Sequence, residues 1–289
     1  MAGRIANGWE LAKESWRVLM ADKKLLVFPI VSSFACLLVL ASFLLPIALT
    51  VDWKALSGNQ HQNANFTVQP AYYAVLFGMY LVNYFVIIFF NAALVACVHE
   101  QFRGGTPSIS FGFSAASSRL GQIFMWALVS ATIGIVLQVL ADRVKLVGAI
   151  AARLLGAAWT IATYFAVPVL VVERVGPFQV FGRSVALLKQ TWGESIVGNV
   201  SIGVITLFAW FLAAIPAILG GVMSASSQSP APIAVGAAIT LILWVAISLV
   251  HSTLKVILTT AIYEYAATGA APGSFNGQTL QAAFRPKKS

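Results

Sequence analysis

The sequence predicts an all-α polytopic membrane protein, with six transmembrane helices in three hairpin repeats and an interfacial amphipathic helix before each repeat. Three observations carry this. Of 289 residues, 59% are hydrophobic and only 9% charged, against about 25% charged in ordinary soluble domains. Six stretches reach the roughly 20 apolar residues that a spanning helix needs: 25–51, 71–98, 120–141, 146–172, 195–222 and 232–263. The alternation of apolar and polar residues that a membrane barrel requires is absent.

In chain order, the first element is amphipathic. Ile5, Trp9, Ala12, Trp16 and Leu19 recur at helical spacing, opposite Glu10, Lys13, Glu14 and Arg17. Glu10, Glu14 and Asp22 precede an apolar stretch too long for a signal-peptide core, so no cleaved leader is expected. Spans one and two flank a polar connection at 52–70 with Trp53, Lys54 and His61, where "NFT" at 65–67 matches a glycosylation acceptor. After "RGGTPS", Ile109, Phe113, Ala116, Leu120 and Ile123 repeat the first stripe's spacing. Spans three and four then form a tight hairpin around 142–145. Gly176-Pro177 opens a third amphipathic helix, since Pro suits a first turn. Its stripe is Phe178, Phe181, Val185, Leu188 and Trp192, with Val180 and Leu187 on the other face. Such a segment is too short and polar to span and belongs in the interface plane. Spans five and six flank "SASSQSPAP", and "FNGQTLQAAF" at 275–284 is a weaker fourth candidate. The single membrane domain thus divides into units at about 1–107, 108–176 and 177–274, with a tail at 275–289.

Thirteen of the eighteen Lys and Arg residues fall before span one, after spans two and four, or after span six. The positive-inside rule then places both termini in the cytoplasm. The net charge of +9 follows from that bias toward an anionic leaflet. No soluble basic domain is present to suggest a nucleic-acid partner.

Little catalytic chemistry is encoded. No metalloprotease, Walker, Rossmann or nucleophile-elbow motif occurs. Cys36 and Cys97 fall in different spans and read as small apolar residues. The expectation is no enzyme, cofactor or metal. His99 and Glu100 are adjacent and point about 100° apart on a helix, which suits a capped helix end better than an acid–base pair. Polar residues within spans are the better lead, because they are costly in lipid. Asn83, Asn91, Gln138 and Asn199 fit interhelical hydrogen bonding, whereas His251 and Lys255 share one helix face. In span four Gly148, Ala152, Gly156 and Thr160 form a small-residue seam. Arg153 and Trp159 read as outer-interface anchors or pocket residues, and Pro29, Pro46, Pro168 and Pro216 as positions that kink or end helices.

Each unit ends its last span in a glutamate: Glu100, Glu173 and Glu264. Carboxylates there oppose the helix macrodipole, so they either mark the water boundary or require partners. The candidate site is therefore a cytoplasmic-side polar cluster of Glu100, Glu173, Glu264, Lys255, His251, Arg119 and Arg183.

The segments "NGWELAKESWRVL", "VNYFVIIFFNAALV" and "PVLVVERVGPFQVFGRSVALLKQTWGESIVGN" together resemble an uncharacterised family of bacterial integral membrane proteins, one of the domain-of-unknown-function families. The "E-x-x-G-P" run from Glu173, with the Ser, Lys and Trp that follow, is similar to membrane domains attached to some bacterial glycerophosphodiester phosphodiesterases. The resemblance implies a bacterial inner membrane and a connection with lipid. The hydrolase domain has no counterpart here, so that activity does not carry over. Two functions are open: a membrane-organising or lipid-associated accessory protein, with phospholipids and a membrane-protein partner or a second copy as partners, or a transporter or channel for a small solute.

Overall fold

The computed structural model describes residues 2–50, 70–143, 145–227 and 229–273, with 275 and 277; side chains of 2–6, 47, 50, 70–73, 142–149 and 192–199 are not described. The expectations for Trp53, Lys54, His61, "NFT" and most of 275–289 lie outside these residues. So do those for the side chains of Ile5, Gly148, Trp192 and Asn199.

Every regular element among the described residues is helical: α1 (Ala2–Ala21), a 3-10 turn (Lys23–Leu26), α2 (Val27–Thr50), α3 (Pro70–Phe102), α4 (Ile109–Ser117), α5 (Leu120–Arg143), α6 (Lys145–Ala162), α7 (Ala166–Val172), α8 (Pro177–Ala213), α9 (Ile215–Ser227) and α10 (Ala231–Thr268). Six segments are long and apolar enough to cross a membrane: Lys23–Pro46, Ala74–Phe102, Leu120–Ala141, Ile150–Val172, Val200–Ser227 and Ala231–Thr268. Central in the bundle are α3, which packs on α2, α4, α5, α7 and α10, and α10, which also packs on α1, α8 and α9.

Burial is polarised along the helices. At 1.5 Å per residue the 38 residues of α10 extend about 57 Å. In this helix 257–263 are buried, while Ile233, Val235 and the run 241–245 are exposed. The core gathers at one end, where Leu94 and Val98 of α3 meet Leu170 of α7, Ile257 and Ile262 of α10, and Leu19 of α1. We call this the basic end, after the arginines described below. Toward the far end, large apolar side chains such as Leu45, Phe208 and Leu241 face outward.

The helix boundaries have local causes. Ser108 caps α4 by accepting from the Phe111 N–H at 3.0 Å. Gly269, with φ 74°, ends α10 in the left-handed conformation and donates to the Tyr265 carbonyl. Pro168 has no N–H for the Tyr164 carbonyl, and the fourth apolar stretch breaks just before it into α6 and α7. Ser184 of α8 closes the break: its hydroxyl donates to the Ala162 carbonyl at 2.7 Å and accepts from the Phe165 N–H at 3.1 Å.

The structure adds detail to the remaining expectations. The third amphipathic segment and span five follow one another in α8 with no loop between them, as two helical pieces that meet at a kink at Thr191 (φ −117°, ψ 19°). The Thr191 hydroxyl donates to the Leu187 carbonyl, a back-bond that bends helices. Its packed face is Val180, Ser184, Leu187, Leu188 and Thr191, while Phe178 and Phe181 are exposed. In α1 the buried residues are Leu11, Ala12, Glu14, Ser15, Val18 and Leu19, while the part-exposed Trp9 and Trp16 line a cavity with Ile202 and Ile205 of α8 and Leu254 of α10. Leu120 is exposed although Ala116 and Ile123 are buried, because the helix restarts at Ser118–Arg119 and shifts register. Trp159, read as an outer anchor or a pocket residue, stacks between Trp126 and Phe181, with ring centroids 6.0 and 5.6 Å away. At the span-four seam a Cβ on Gly156 would meet only the Leu137 side chain, at 3.7 Å, whereas α9 and α10 approach closely: a Cβ on Gly236 would sit 2.2 Å from the Pro216 carbonyl oxygen and one on Gly220 2.5 Å from that of Pro232.

Candidate functional site

A cavity of about 670 Å³ opens at the basic end between the ends of α3, α7 and α10 and the α4–α5 junction. Gly112 lets α4 approach α3 closely: a Cβ there would lie 2.6 Å from the Phe28 ring and 2.9 Å from the Ala93 carbonyl oxygen. Arg119, at the break between α4 and α5, is thereby set in the cavity wall with Arg103, Arg174, Glu100 and Glu264.

The three helix-end glutamates differ in their partners. The His99 Nδ1–H donates to Glu264 Oε1. Glu173 accepts from Arg183 Nε at 2.9 Å and from the Tyr263 hydroxyl at 3.2 Å. These contacts offset the unfavourable position of a carboxylate at a helix carboxyl end. Glu100 has no ion pair among the described residues, and its carboxyl folds over Gly105, where a Cβ would meet Oε1 at 2.6 Å.

Arg119 is unlike the others. It is 9% exposed, its Nε has no hydrogen-bond partner among the described residues, and Nη1 reaches only the Ala115 carbonyl, at 3.4 Å. Burial, and then the neighbouring Arg174, lower its pKa. Arg174 has φ 56° and is the one non-glycine described residue with positive φ.

Of the seven residues read from the sequence, Glu100, Glu264 and Arg119 line the cavity. Glu173 and Arg183 join through Tyr263, the chain neighbour of Glu264. His251 and Lys255 lie apart. The Thr206 hydroxyl proton is committed to the Ile202 carbonyl, so His251 Nδ1–H donates to Thr206 Oγ1 at 2.8 Å. Lys255 is exposed and has no carboxylate within ion-pairing distance among the described residues. Sequence reasoning missed Arg103, Arg174 and Tyr263 as members, because no local pattern announces them. Among the described residues no three His, Cys, Asp or Glu side chains converge as a metal site would require.

A second cavity, about 820 Å³, lies among α2, α3, α8 and α10. Its walls are apolar, including Leu37, Ile87 and Trp244, with Ser32, Asn91 and Ser252 as polar points. Trp244 Nε1–H donates to the Trp210 carbonyl at 3.2 Å and links α10 to α8 along this cleft.

No curated protein matches the chain. Residues 70–273, well over half of its length, match the model of a family of unknown function, DUF6159, and the chain belongs to that family.

Proposed function

We propose that the protein is a non-enzymatic, multi-pass membrane protein of lipid-associated, membrane-organising type, whose apolar cleft holds an acyl chain of a membrane phospholipid. The observation that carries this is the cleft itself, set among four of the span-length helices and walled by apolar side chains. A crevice of this kind suits an apolar ligand oriented by a few polar groups. In this reading both termini lie in the cytoplasm of a bacterial cell. Helix α1, helix α4 and the part of α8 before Thr191 lie along the inner surface, each heading one hairpin repeat. A membrane-protein partner or a second copy completes the assembly. The weak likeness to phosphodiesterase membrane domains supports the lipid setting.

The solute-transport alternative rests on His251, Lys255 and the glutamates. The pairing of His251 with Thr206, Glu264 with His99 and Glu173 with Arg183 favours helix-to-helix bonding for most of them. Quantitative lipid mass spectrometry on protein purified in mild detergent tests the proposal. Retained phospholipid is expected, and Ser248→Phe, which fills the cleft, lowers its amount. Protein free of phospholipid, or retention unchanged by Ser248→Phe, overturns it. External labelling of a cysteine at Ser289 overturns the orientation.

A further inference from the structure

Arg119 is a permanent charge that has one long bond to a backbone carbonyl and no ion pair among the described residues. A guanidinium has five N–H donors and stays protonated, and a buried charge without a counter-charge is strongly unfavourable. The cavity's carboxylates do not answer it, since Glu264 is held by His99 and Glu100 is folded over Gly105. The protein instead adds more positive charge. Arg103 and Arg174 line the same cavity, and Arg174 does so from a left-handed backbone conformation that is strained for a residue with a Cβ. Backbone strain next to an unpartnered buried cation is the pattern of a site arranged for a ligand.

The ligand's chemistry follows from the donors. Three guanidiniums, with the Ser114 hydroxyl on the same wall, present many N–H and O–H donors to one small volume. Planar guanidinium forks match phosphoryl oxygens in paired bonds. Phe111 lines the cavity, and Leu120 and Phe124, one turn apart on α5 just after Arg119 in the chain, are exposed. An acyl chain has a track there leading away from the charged group.

We propose that this cavity is a phosphoryl-binding site formed by Arg119, Arg103 and Arg174, and that anionic phospholipid of the surrounding bilayer supplies the group. The source rests on the lipid-associated reading above; the phosphoryl chemistry does not.

The test uses the full chain, delipidated in neutral detergent, with thermal unfolding followed at constant ionic strength. The probes are inorganic phosphate against chloride, and short-chain phosphatidylglycerol against short-chain phosphatidylcholine. Phosphatidylglycerol is expected to raise the melting temperature by a few degrees more than phosphatidylcholine, and phosphate more than chloride. Arg119→Met should itself melt higher than wild type without ligand, since an unanswered buried charge is gone, and should bind about tenfold to a hundredfold more weakly. An arginine that only braces the fold would lower stability when removed. Arg174→Gly, which relieves the left-handed strain, should likewise stabilise the free protein and weaken binding, and it carries the test if Arg119→Met does not fold. Stabilisation by phosphate but not by phosphatidylglycerol supports the site and overturns the lipid as source. No response to either probe, or wild-type affinity in both variants, overturns the site. Protein that keeps phospholipid in its cleft yet does not distinguish the two headgroups refutes this site alone and leaves the lipid-associated reading standing.

Discussion

Ser184 offers the sharpest test of how the fold tolerates a broken helix inside an apolar bundle. Pro168 interrupts the backbone ladder between α6 and α7, which frees the Ala162 carbonyl and the Phe165 N–H. Both are met by one hydroxyl, at 2.7 and 3.1 Å, and Ser184 and Phe165 are each 0% exposed, so water cannot replace it. Ser184→Ala removes a single oxygen atom and adds no steric conflict. It leaves the buried Phe165 N–H and the half-buried Ala162 carbonyl unsatisfied, each costing up to about 1–3 kcal/mol. The expected loss is therefore about 1–6 kcal/mol, from the donor alone up to both groups in full, large against the ordinary effect of a surface change. Denaturant titration in mixed micelles, followed by tryptophan fluorescence, measures it. Ser117→Ala, at an exposed serine, is the control. If Ser184→Ala lies within about 0.5 kcal/mol of wild type, the break is not held by this hydroxyl and the account of the α6–α7 junction fails.

Other positions give smaller or opposite effects. Gly236→Ala places a methyl 2.2 Å from the Pro216 carbonyl oxygen, so α9 and α10 must separate; a loss of about 1–3 kcal/mol is expected, read as a lower melting temperature. Tyr263→Phe removes the hydroxyl donor to Glu173 and should cost about 1 kcal/mol in the same titration; an unchanged midpoint would mean that Arg183 alone satisfies the carboxylate. Lys255→Met should leave stability within about 0.5 kcal/mol of wild type, because the side chain is exposed and has no ion pair among the described residues. A marked loss in that variant would show a partner that the geometry does not contain.

The sequence by itself determined the number and approximate limits of the long apolar helices. That is a local property: a run of about 20 apolar residues must hydrogen-bond within itself in a membrane, whatever its neighbours do. The start of α8 was legible for the same reason, since Gly176-Pro177 acts on its own backbone. Which face of a helix packs was not legible, and there the tertiary structure decided. In water an apolar stripe seeks the core, but an apolar side chain is equally at home against lipid, so hydrophobicity does not separate the two faces. Phe178 and Phe181 are accordingly exposed. Beside their Leu and Val, the packed faces carry Ser15, Ser184 and Thr191, small or hydrogen-bonding residues of the kind that hold helices together where no hydrophobic force drives them. The cavity around Arg119 was further from reach. Its walls come from α3, α4, α7 and α10, and only their convergence reveals that three arginines share one space while the nearby carboxylates are turned to His99, Arg183 and Gly105.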